Sequence, residues 1–207
     1  MIQLAPQPTG TELGRIALHL PPAMRLDDDL LFAFCQYNRD LRIERDAHGD
    51  LEIMPPTGAE TGTRNANLTC DFANWARLDG RGAVFDSSTG FLLPNGAMRS
   101  PDLAWVLRER LATLAPQQKR KFLPLVPDLI IELASPTDDE RPLHAKLREW
   151  RDNGARLAWL ILPDRRQVWR YALGQEPACL QDPQHLGDEA LLPGMSLPMA
   201  RIWEPSL

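Results

Sequence analysis

The chain has 207 residues, 43% hydrophobic and 25% charged, with a formal net charge of −5. That is an ordinary globular make-up, long enough to bury a core and short enough for one domain over 1–207, with 1–22 as a peripheral lead-in. No apolar run approaches the roughly 18 residues of a membrane span and no secretory pattern opens the chain, so a cytoplasmic protein without membrane contact is expected.

Residues 1–22 are rich in Pro, Gly and Thr, with one short strand near 15–20. Residues 27–38 suit a helix capped by Asp27 or Asp28, with Leu30, Leu31, Phe34 and Tyr37 as its apolar stripe. Residues 41–45 and 51–54 alternate around Asp46-Ala47-His48-Gly49-Asp50, a hairpin signal. Pro55-Pro56-Thr57-Gly58 breaks the sheet, and 59–78 is a long helix with Ala66, Leu68, Phe72, Ala73, Trp75 and Ala76 on its apolar side. Glu60 stands in its first turn, where the helix dipole favours an acid and where a metal or water could be held. Strands follow at 83–86, 90–93 and 101–107, then a charged helical connection over 108–125 interrupted by Pro116.

The stretch that organises the rest is Pro127-Asp128-Leu129-Ile130-Ile131-Glu132-Leu133-Ala134-Ser135-Pro136. Both faces of a strand over 128–134 are apolar except at Glu132, which shares its side with Ile130 and Ala134. A carboxylate in such a run must be paired, protonated or metal-bound. Thr137 to Glu140 fits a capping box opening a helix over 139–153. On that helix Leu143, Leu147 and Trp150 form the inward stripe, and Lys146 lies about 40–60° from Leu143 and Trp150. Taken alone, a lysine at such a boundary snorkels to solvent.

Strands at 157–162 and 167–172 flank the turn Pro163-Asp164-Arg165-Arg166, and 179–203 holds a last strand and a short terminal helix. The order fits an α/β or α+β domain: a mixed sheet flanked by helices, preceded by an N-terminal helix and a β-hairpin. Cys35, Cys70 and Cys179, with His19, His48, His144 and His185, make neither a zinc pattern nor a disulfide framework.

Asp102 opens the strand after Ser100-Pro101. Two carboxylates on neighbouring strands, with an ammonium from the adjoining helix, are what metal-assisted phosphodiester hydrolysis requires. The pattern Ser87-Ser88-Thr89-Gly90-Phe91-Leu92-Leu93-Pro94-Asn95-Gly96, Ser100-Pro101-Asp102, the 127–136 stretch, Lys146, Trp150, Gly154 and Ala158-Trp159-Leu160-Ile161 resembles the Uma family of restriction-endonuclease-like proteins, within the PD-(D/E)XK nuclease superfamily.

The resemblance implies a restriction-endonuclease-like fold and a DNA endonuclease using Mg²⁺ or Mn²⁺. Asp102 and Glu132 would be the metal ligands, Glu60 a further candidate metal ligand, and Lys146 a lysine migrated from the position now held by Ala134. Double-stranded DNA as substrate and a homodimer are implied in the same way. Trp150 stands where that family commonly has a tyrosine, which suggests a packing swap. The rival expectation is a non-catalytic binding or assembly module in which Asp102, Glu132 and Lys146 form a buried ion-pair network. The net acidity weighs against binding DNA by basic surface alone, less so if cations fill an acidic site first.

Overall fold

A computed structural model of the protein describes residues 15–207; the lead-in before Arg15 lies outside the described residues. In chain order the elements are β1 (Ile16–Leu18), α1 (Asp28–Tyr37), β2 (Arg42–Arg45), β3 (Leu51–Met54), α2 (Ala59–Asp79), β4 (Gly82–Asp86), β5 (Phe91–Leu92), β6 (Met98–Arg99) and β7 (Leu103–Leu107). They continue as α3 (Arg108–Ala112), β8 (Leu129–Leu133), α4 (Glu140–Asp152), β9 (Leu157–Leu162), β10 (Gln167–Ala172), β11 (Ala178–Gln181), β12 (His185–Asp188), β13 (Leu192–Pro198) and α5 (Ala200–Trp203).

The main sheet runs β11-β10-β9-β8-β7-β4, and β8 with β9 is its parallel pair, joined through α4. Such a pair needs a long crossover, so the helix follows from the topology. β8 is buried along its whole length, and its alternation divides the core. Leu129, Ile131 and Leu133 pack with Leu68, Phe72 and Ala76 of α2 and with Ile202 and Trp203 of α5. Ile130 and Ala134 pack with Leu143, Leu147 and Trp150 of α4. Glu132 belongs to the α4 side by the same count.

A second sheet, β1-β3-β2-β6-β5, carries the expected hairpin, with Arg42 opposite Met54 and Arg45 opposite Leu51. It meets α1 in a small cluster of Leu31, Ile43, Leu51 and Met98. α1 starts where expected, its cap Asp27 accepting from the Leu30 amide at 2.8 Å. Its buried side differs from the expected stripe: Leu31 is covered, while Leu30 and Tyr37 are 55% and 91% exposed. A ten-residue helix resting on so small a cluster buries one edge, not a full stripe.

α4 also departs in detail, because Asp139 and not Thr137 is its cap, accepting from the Arg141 amide at 3.0 Å. The tail holds the two-stranded sheet β12-β13 besides α5. No described helix is long and apolar enough to cross a membrane.

Gly82 opens β4 directly beneath the Trp105 indole, and a Cβ built there would run into the ring. Gly82→Ala is therefore expected to cost about 1–3 kcal/mol by overpacking, seen as a lower thermal midpoint without change in secondary structure.

Candidate active site

Two neighbouring inner strands and one helix converge at one end of the main sheet. β7 and β8 are antiparallel with Leu103 opposite Ile131; one step further along that register sets Asp102 opposite Glu132. The Asp102 carboxylate accepts the Leu133 amide at 2.8 Å through Oδ2, so the strand that carries Glu132 also fixes Asp102. Lys146 lies on the buried stripe of α4 with Leu143, Leu147 and Trp150. Its ammonium does not snorkel: it is 3.0 Å from Glu132 Oε1 and only 6% exposed.

The same ammonium donates to Glu44 Oε1 at 2.9 Å. Glu44, which sequence reasoning passed over, lies on β2 and is wholly buried. It arrives there because β2 pairs with β6, Arg45 opposite Met98, and the chain leaving β6 runs through Arg99 and Ser100 to Asp102. This short segment is the seam between the two sheets. The Ser100 amide donates to Glu44 Oε1 at 3.0 Å. Arg99 reaches Glu44 at 3.2 Å, Glu149 at 2.7 Å and Glu52 at 2.5 Å. The signal lay in the alternation Arg42-Ile43-Glu44-Arg45: Arg42 and Glu44 share a face, and Ile43 and Arg45 go to the other, Arg45 holding Asp28 at 2.6 Å.

Arg42 completes the constellation. Its Nη2 donates to the Ser100 carbonyl at 2.7 Å, and its Nη1 is 3.4 Å from Asp102 Oδ1. Burial opposes its charge, but Asp102, Glu44 and Glu132 outweigh burial and raise its pKa. Trp150 does more than pack, since its indole N–H donates to Glu132 Oε1 at 3.2 Å. Where a phenol would offer a hydroxyl, the indole supplies a donor only.

Glu60 is not gathered into this cluster. It is half-exposed and pairs with the buried Arg64 at 3.3 Å, four residues along α2. It does line the mouth of the same cleft, of about 820 Å³, into which Arg15, Arg42, Asp102, Glu132 and Lys146 also face. Among the described residues no three His, Cys, Asp or Glu side chains group as a metal cage. The candidate donor set is thus the pair Asp102 and Glu132.

The two acids that share Lys146 titrate in opposite senses. Burial would raise Glu44, but the ammonium of Lys146 and the guanidinium of Arg99 hold it down to about 2. Glu132 is raised, first by burial and then by the negative charges of Asp102 and Glu44, which Lys146 offsets only in part. Lys146 itself is raised, its two acids outweighing burial.

A depressed folded pKa stabilises above the unfolded value and is lost as pH falls through the folded one. Glu44 therefore adds stability that disappears between its ordinary 4.5 and about 2. Glu44→Gln is expected to lower the thermal midpoint at neutral pH, with the gap to wild type closing across that acid window; calorimetric scans against pH read it. Glu132 has the opposite sign: its contribution is present below 4.5 and lost as pH rises through its raised folded value. A cation beside it would reverse that loss.

The sequence model of the Uma2 family, described as "Putative restriction endonuclease", matches residues 28–200. Among solved structures, one from Anabaena variabilis described as "a putative nuclease belonging to DUF820" matches with a TM-score of 0.66 at 16% identity, covering 78% of this chain and 89% of that one. At that identity the likeness is one of fold. No curated protein matches.

Proposed function

The chain belongs to the Uma2 family of restriction-endonuclease-like proteins, and from that premise we propose that it hydrolyses DNA phosphodiester bonds with Mg²⁺ or Mn²⁺. What carries the reading is the Lys146 ammonium, buried 3.0 Å from Glu132 at the floor of an open cleft. Asp102 and Glu132 would hold the metal. Their chemistry fits: both are hard oxygen donors, one is raised by burial and like charge, and Mg²⁺ characteristically takes one or two carboxylates with water and phosphate. When bound, the metal would polarise the phosphate and lower the pKa of a water.

The remaining work falls to the chain. Glu132, oriented by the Trp150 N–H, can align the attacking water. Lys146 is kept charged by Glu44 and Glu132 and can neutralise charge that builds on phosphorus. The walls of the cleft limit solvent around it. Double-stranded cleavage by one site per copy would call for two copies, so a homodimer on duplex DNA belongs to the same proposal.

A second reading has one observation in its favour. Lys146 is satisfied by Glu44 as well as Glu132, so the network closes without substrate, as a structural ion-pair core would. Titration calorimetry with Mn²⁺ separates the two. The nuclease reading expects binding at millimolar metal or below in wild type and its loss in Asp102→Asn; equal heats in both proteins would favour the module.

A further inference from the structure

Asp102 is held unequally at its two oxygens. Oδ2 has the Leu133 amide at 2.8 Å, but Oδ1 has only Arg42 at 3.4 Å. That is long for a charge-assisted bond, which usually closes to about 2.7–2.9 Å. The guanidinium is otherwise underused. Nη2 is anchored on the Ser100 carbonyl, while Nε is buried without a partner. Of the two cations that meet Asp102 and Glu132, Arg42 stands nearer the open side: its side chain is 30% exposed and lines the cleft, against 6% for Lys146.

Resting on the nuclease reading above, we propose that Arg42 is a placeholder and clamp: it occupies the cation position beside Asp102 in the metal-free protein and turns to a phosphate oxygen of the nucleic acid when a divalent cation takes Asp102. A doubly charged ion displaces a loosely held single charge from Oδ1. The planar fork, still fixed through Nη2, then has free N–H donors in the cleft, and a guanidinium suits phosphate in two-point contact. Metal and DNA would thereby be coupled through one side chain, each easing entry of the other.

The test is Mn²⁺ titration calorimetry on wild type, Arg42→Met, Arg42→Gln and Arg42→Lys, alone and with a short DNA duplex, beside Asp102→Asn. Without DNA, Arg42→Met should bind Mn²⁺ about tenfold more tightly, the effect of removing a unit charge near a divalent ion in a solvated cleft. Arg42→Gln is also neutral but polar and should behave alike, so a folding defect in the first variant does not blur the result. Arg42→Lys keeps the charge and should stay near wild type. The duplex should tighten Mn²⁺ binding in wild type and do so less in Arg42→Met and Arg42→Gln. Unchanged or weaker Mn²⁺ binding in both neutral variants overturns the placeholder role, and equal tightening by DNA overturns the clamp. Either result leaves Asp102-dependent metal binding, and the nuclease reading, standing. Absence of Asp102-dependent binding in wild type removes both.

Discussion

Replacing Lys146 by Met is expected to reduce plasmid nicking by about a hundredfold to a thousandfold, the range for loss of one preorganised positive donor at a developing charge. The same change should destabilise the fold, because it leaves Glu44 and Glu132 buried without their shared ammonium; breaking a buried pair costs about 3–5 kcal/mol. Loss of activity in Lys146→Met alone would therefore be ambiguous between chemistry and unfolding. The double variant Lys146→Met, Glu44→Gln resolves it. Removing one carboxylate should restore part of the thermal midpoint, while nicking stays absent. Coupled recovery of both would mean that Lys146 only supports the core.

The second large effect is at Glu132. Glu132→Gln preserves shape, keeps an acceptor for the Trp150 N–H and leaves Lys146 with Glu44. Since the Glu132 carboxylate is raised by burial and by Asp102, metal-free protein should tolerate the neutral amide, with a thermal midpoint equal to or above wild type at neutral pH. Cleavage should nevertheless fall by about three orders of magnitude or more, because an anionic oxygen donor to the metal is lost. Glu44→Gln should do the reverse in stability, as it removes a carboxylate that is strongly favoured in its charged form. Two glutamates sharing one lysine would thus separate into an acid kept for function and an acid kept for structure.

The strand of Glu132 and its helix were legible because each is a local pattern, whereas the local pattern alone sent Lys146 to solvent and only the family resemblance turned it inward, where it lies 3.0 Å from Glu132. An apolar run interrupted by Glu132 sets the face, and a helical stripe from Leu143 to Trp150 sets the buried side of α4 with Lys146 at its boundary. The register of β7 on β8 brought Asp102 in through one strand neighbour. Glu44, Arg42 and Arg99 were not legible in the same way. A four-residue strand with charge on both faces looks like a solvated hairpin arm. It becomes interior only through the contact of β2 with β6, whose two residues are too few for any periodicity. The same limit explains α1, where the apolar stripe was real but the surface offered to it was small. Trp150 was legible as core and not as donor, since spacing shows which face a residue takes but not where its indole nitrogen points.

The most direct test of metal-dependent phosphodiester hydrolysis at Asp102, Glu132 and Lys146 is nicking of supercoiled plasmid by purified protein in Mg²⁺, Mn²⁺ or EDTA, with Glu132→Gln run beside it. Conversion to open circle in either metal, none in EDTA, and none by a folded Glu132→Gln protein is the predicted result. Nicking that persists in EDTA, or that Glu132→Gln carries out at the wild-type rate, would contradict it.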